Sequence, residues 1–128
     1  MGNGASGGLV EPHAAGHVLI LEVRVATIVA ADTIQPLAQA LRVACSRSRA
    51  TAVVLDLSGV RFLTSGALGM LIHLRSQLAG QDRRMALAGA SGDVARVLAQ
   101  TRLAEIVPVY ESVATAVRDL RCPPEGGV

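Results

Sequence analysis

The sequence predicts an α/β domain: a mixed β-sheet of four to five strands covered by about four helices. Short apolar runs at 18–25 (VLILEVRV), 52–57 (AVVLDL), 85–88 and 106–110 are bounded by polar or glycine-containing turns and have the length of strands. Between them lie longer stretches with apolar residues three and four apart, the spacing of one face of a helix. The chain is 51% hydrophobic with one Phe, one Tyr and no Trp, so its interior is built from Val, Leu, Ile and Ala. Aliphatic interiors of this kind suit parallel or mixed sheets layered with helices. At 128 residues the chain fits one such domain.

Residues 1–16 (MGNGASGGLVEPHAAG) have no periodic apolar face and are expected to form a flexible tail, since too little surface can be buried to offset their ordering entropy. The domain proper is then 17–120. Residues 18–25 read as a strand that starts fully apolar and then alternates at Glu22 and Arg24, and 27–29 as a short second strand. Asp32 offers an N-cap with Gln35 as capping-box partner, Pro36 falls in the first turn, and Ile34, Leu37, Leu41 and Cys45 form the apolar stripe of a helix ending near 46–49. Residues 52–57 read as a central buried strand. A helix beginning near Ser65 and running to about Ala79 places Leu68, Leu71, Ile72 and Leu78 on one face and Ser65, Gly69, His73 and Ser76 on the other. Ser91 or Asp93 caps a third helix with Val94, Val97 and Leu98 inward. The last strand spans 106–110. Val113, Ala116, Val117 and Leu120 face inward on a fourth helix, stopped by Pro123 and Pro124, and 121–128 form a C-terminal tail. Right-handed crossovers would gather the strand-carboxyl loops, including 56–65, on one edge, where open α/β sheets place their sites.

Composition and spacing exclude several classes of chemistry. A formal charge of +2 and the scarcity of aromatic residues for base stacking argue against nucleic acid as a partner. No apolar run is long enough to span a bilayer, and the N-terminus lacks a charged segment followed by an apolar one, so a cytoplasmic protein without membrane insertion is expected. Cys45 and Cys122 lack metal-ligand spacing and are read as free thiols, and His13, His17 and His73 share no ligand spacing. No metal and no cofactor are expected. Asp56 has no companion carboxylate and reads as a turn cap. The chain contains no lysine, which excludes a phosphate loop of the Gly-rich, lysine-bearing kind. Thr64-Ser65-Gly66 lacks the first glycine of a hydrolase nucleophile elbow, and with no partner base in evidence no catalytic residue and no enzyme activity are expected. Arg47 with Arg49, and Arg83 with Arg84, fit either partner contacts or solvated helix ends.

A strand ending in Asp56-Leu57-Ser58, then Val60-x-Phe62-Leu63, then Thr64-Ser65-Gly66-Ala67-Leu68-Gly69 before an apolar helix resembles the STAS domain of bacterial anti-sigma factor antagonists. The resemblance covers 17–120 and implies the STAS fold. It also implies that Ser65 is the phospho-acceptor, with Thr64, which stands where the family commonly has aspartate, as second choice. A helix start suits that role, because its free amides and positive dipole end hold a phosphate at little cost. Serine is equally an ordinary N-cap residue. The family's Gly-x-Leu-Asp loop corresponds to Thr27-Ile28-Val29-Ala30 and lacks its aspartate, which leaves Asp32 and Thr33 to serve that surface. With Thr64, Gly66, Gly69, Met70 and His73 they form the implied partner-binding set. The implied function is that of an anti-sigma factor antagonist in a partner switch regulating transcription. Its partner would be an anti-sigma factor or switch-type serine kinase, released on phosphorylation, with a phosphatase as a further partner. The alternative is a non-switching STAS subunit held on a membrane transporter or signalling complex, with Ser65 only a cap.

Overall fold

A computed structural model describes residues 9–121. Strands β1 (Val10–Ala15) and β2 (Val18–Val23) form a hairpin and are followed by the two-residue β3 (Thr27–Ile28) and helix α1 (Ala31–Ser46). Next come β4 (Ala52–Asp56), the two-residue β5 (Phe62–Leu63) and helix α2 (Ser65–Ala79). Strand β6 (Arg84–Ala88), helix α3 (Gly92–Gln100), a 3₁₀ turn (Leu103–Glu105), β7 (Val109–Tyr110) and helix α4 (Val113–Arg121) complete the chain. The main sheet has the order β1-β2-β4-β6-β7, with β1 antiparallel to β2 and every other pair parallel. β3 and β5 form a separate parallel pair. This is the mixed sheet with four helices expected from the sequence.

Strand alternation sorts the sheet's side chains between two layers. Leu19, Leu21, Val23, Val53, Leu55, Met85 and Leu87 point into the larger core, which they share with Leu37 and Leu41 of α1, Leu68, Leu71 and Leu74 of α2, and Val94 and Leu98 of α3. The opposite face carries Val18, Val54 and the small residues Ala52, Ala86 and Ala88, packed against Ala116 and Leu120 of α4. Alanines on three of these sheet positions leave room for that single helix to lie close to the strands. One loop is tied in by a cation. Arg83 donates to the carbonyls of Ala50 at 2.8 Å, Cys45 at 3.0 Å and Ser48 at 3.2 Å, which joins the end of α1 to the turn after α2.

Several expectations are corrected. Residues 10–15, expected to belong to a flexible tail spanning 1–16, pair with β2 in a six-residue register from Val10↔Val23 to Ala15↔Val18, and Val10 is only 3% exposed. An edge strand is recruited by backbone pairing and needs no apolar alternation of its own, and Pro12 is tolerated there because one side of an edge strand has no ladder to complete. Gly16, at φ 65, supplies the left-handed conformation of the two-residue hairpin turn. The domain therefore starts before residue 17. Arg121, expected to open the C-terminal tail 121–128, is instead the last residue of α4; the rest of that tail (122–128, Cys122 included) and residues 1–8 of the expected N-terminal tail lie outside the described residues.

Asp32 does not cap α1. The helix begins at Ala31 with Ala30 as N-cap and no side-chain cap hydrogen bond, which leaves Asp32 in the first turn, where its charge suits the dipole. Ile72, expected inside, is 38% exposed, and Leu74 is buried in its place. The last strand is only Val109–Tyr110, because Leu103 and Val107 fold inward around the 3₁₀ turn while Ile106 is left 42% exposed.

Candidate functional site at the start of helix α2

Ser65 is positioned by the small β3–β5 pair. Thr27 lies opposite Phe62 and Ile28 opposite Leu63, so the segment leaving β2 is laced to the segment entering α2. The amides of Arg61 and Phe62 donate to the Ala26 carbonyl at 2.7 and 3.2 Å, and the Thr64 amide donates to the Ile28 carbonyl at 3.1 Å. Ile28 and Leu63 are buried beneath this pair and anchor it to the core. Upstream, the Asp56 carboxylate accepts the Ser58 amide at 3.0 Å, as expected of a turn-capping aspartate.

Thr64, and not Ser65, is the N-cap residue of α2, with extended φ −108 and ψ 176. Its hydroxyl makes no capping bond to the helix; it lies 3.5 Å from the Ile28 carbonyl, while its own carbonyl receives the Leu68 amide at 3.1 Å. Ser65 is thus the first helical residue, and its side chain is exposed. The first amides of a helix have no intrahelical acceptor. Here neither a capping side chain nor an acidic residue in the first turn serves them. The start of α2 is therefore an electropositive helix end with a hydroxyl at its rim.

The implied binding residues are partly brought together. Gly66, Met70 and His73 line a groove of about 310 Å³ between α1 and α2, whose other wall includes Ile34, Gln35 and Arg42. The helices come close at Gly66, where a Cβ would meet Ile34 Cδ1 at 3.3 Å. Gly69 is exposed and faces open space, where an added Cβ would meet nothing within 4 Å. Asp32 is exposed and Thr33 half-buried in the first turn of α1, outside the lining of the groove. Sequence reasoning did not single out Ile34 and Arg42 as groove residues, nor Val29 and Phe62, which are 45% and 44% exposed on either side of the β3–β5 pair. The alternation of Phe62 with buried Leu63 is the signal for the latter. Among the described residues no group of three or more His, Cys, Asp or Glu side chains is arranged to hold a metal ion, and no helix is long and apolar enough to cross a membrane.

Sheet and site together define an open α/β domain that presents a hydroxyl at a helix start on the carboxyl edge of its parallel strands. The family model for the STAS domain matches residues 11–116, and the chain belongs to this family. A STAS-domain containing protein of Pseudomonas aeruginosa (strain UCBPP-PA14) is 34% identical over 56 residues, a match that spans 44% of this chain and 55% of that protein. An anti-sigma factor antagonist from Mycobacterium paratuberculosis has a similar structure, with a TM-score of 0.78 at 25% identity over 88% of this chain and 93% of that one. The STAS-like fold also recurs in the murine Solute Carrier 26 family member A9 anion transporter (TM-score 0.73, 17% identity, 85% of this chain and 18% of that one). It recurs again in the Bacillus cell fate determinant SpoIIAA, solved in its phosphorylated form (TM-score 0.61, 12% identity, 87% of this chain and 98% of that one).

Proposed function

We propose that this STAS domain is an anti-sigma factor antagonist that works by partner switching and not by catalysis. Unphosphorylated, it binds an anti-sigma factor or switch-type serine kinase in the cytoplasm through the start of α2 and the groove beside it. Phosphorylation of Ser65 releases that partner, a phosphatase restores binding, and transcription follows the state of the switch. The observation that carries this reading is the exposed Ser65 hydroxyl at an α2 start whose amides no side chain caps. A phosphate there adds about 1.5 to 2 negative charges at pH 7 and is held by the helix end, so folding tolerates it. A partner packed over Gly66, Met70 and His73 meets the same charge as a desolvated anion, and mismatched charge in an interface costs several kcal/mol. The likeness to the anti-sigma factor antagonist from Mycobacterium paratuberculosis and to SpoIIAA, itself an anti-sigma factor antagonist and solved in both unphosphorylated and phosphorylated forms, supports the same reading.

The test is capture of partners from the native host by the parent, Ser65→Ala and Ser65→Glu forms, with mass spectrometry of both the partner and the phosphorylated residue. A kinase-type partner retained by parent and Ser65→Ala and weakened at least tenfold by Ser65→Glu, about 1.4 kcal/mol, is the expected result. Equal retention by the Glu form would leave Ser65 as no more than the first residue of α2 and favour a permanent subunit of a larger complex.

A further inference from the structure

The end of α2 away from Ser65 opens onto a cleft of about 820 Å³, a volume in the range of small-ligand sites. Its lining holds four arginines, Arg75, Arg83, Arg84 and Arg121, against two aspartates, Asp82 and Asp119. They arrive from three different parts of the chain: α2, the turn into β6, and the end of α4. A structural role accounts for some of this charge. Arg83 is spent on the three carbonyls described above, and one Arg84 nitrogen donates to the Leu120 carbonyl at 2.7 Å, closing the end of α4.

Arg75 and Arg121 are not accounted for in this way. Among the described residues neither side chain makes a hydrogen bond or ion pair. Arg121 lies in the last turn of α4, where a cation suits the dipole, but no basic residue lies in the last turn of α2, so Arg75 is not placed there to serve a helix end. Neither aspartate forms an ion pair with Arg75 or Arg121: Asp119 keeps its charge while accepting the Tyr110 hydroxyl, and Asp82 is exposed on a left-handed turn at φ 61, so four guanidiniums outnumber two carboxylates in the lining. Ile106 and Pro108 add apolar surface to the same lining. Like charges gathered around a concave surface focus a positive potential, and guanidinium forks match the oxygens of a phosphate in two-point contacts.

We propose that this cleft binds a small phosphate- or diphosphate-bearing molecule, with Arg75, Arg84 and Arg121 holding the anion and Ile106 and Pro108 supporting a compact organic part. The site is separate from the Ser65 surface and stands whether or not Ser65 is a switch. The test is calorimetric titration of the full chain with pyrophosphate at low salt, together with mapping of amide chemical shifts. One-to-one binding is expected, with shifts around Arg75, Arg84, Tyr110 and Arg121. Arg75→Gln and Arg121→Gln should each weaken it by about tenfold with unchanged circular dichroism, the loss typical of one charged hydrogen-bonding group. Arg49→Gln, an exposed charge outside the cleft, should leave binding unaltered. Absence of binding at millimolar pyrophosphate would overturn the proposal. Equal weakening by Arg49→Gln, or shifts clustered at the start of α2, would do the same, the first by showing diffuse charge attraction and the second by showing that the helix end is the anion site.

Discussion

Replacing Gly69 with alanine separates what folding wants from what the surface is for. Gly69 lies inside α2 with an exposed position, and a Cβ built there meets no atom within 4 Å. Its φ is not in the left-handed region, so the backbone does not require glycine. Glycine in an exposed helix interior is less favourable than alanine by about 0.8 to 1 kcal/mol, because it loses more backbone freedom on folding. With no clash to subtract, Gly69→Ala should stabilise the domain by nearly that full amount. For a chain of this size the gain corresponds to a rise in Tm of about 3 to 5 °C. The assay is urea and thermal denaturation followed by circular dichroism, with the urea midpoint moving up at an unchanged slope. Loss of stability would refute the reasoning, since it would mean that the added methyl meets something packed over this face in the free protein. If the face docks the partner, Gly69→Gln should keep the fold and lose binding. A stabilising glycine replacement that costs function would identify the surface as one kept smooth for contact.

Removing residues 1–15 deletes β1 and exposes Val10's site and the edge of β2; burial of one valine alone is worth about 1.5 to 3 kcal/mol, so the unfolding transition should move down by several degrees, and an unmoved transition would show that β1 contributes nothing. Burial pushes the Cys45 thiol up, with the Arg83 charge only partly opposing it. In a Cys122→Ser background the native protein should therefore resist iodoacetamide at pH 8 and be labelled only on unfolding, and rapid native labelling would contradict this. Tyr110 is the only tyrosine, and its hydrogen bond to Asp119, followed by partial burial, holds its hydroxyl above the ordinary tyrosine range. A raised pKa means that this bond's stabilisation is complete below about pH 10 and is lost as pH rises through the folded value. Ultraviolet titration of the phenol should give a midpoint above about 10 that falls back toward it in Asp119→Ala, and an unchanged midpoint would place the cause elsewhere.

The residues that determine the layers were legible in the chain itself. A run such as 52–57, short, rich in β-branched residues and apolar on both faces up to Asp56, has the pattern of a central strand, and the spacing of Leu37, Leu41 and Cys45 or of Val94 and Leu98 that of a helix with one buried side. The serine at a helix start was equally visible, because Thr64-Ser65-Gly66 interrupts the change from strand to helical periodicity. What depends on neighbours was not. VEPHAA becomes a strand only because β2 presents an unpaired edge to it, and backbone groups leave no trace in side-chain pattern. Ile72 and Leu74 lie close enough around α2 that the angle of packing against the sheet decides which is covered. Which of Thr64 and Ser65 caps the helix was decided by the pairing of β3 with β5, two-residue strands too short to be read locally. The cleft of arginines was invisible for the same reason: Arg121 lies far along the chain from Arg75 and Arg84, and only the return of α2 and α4 to the sheet brings their charges to one end of the molecule.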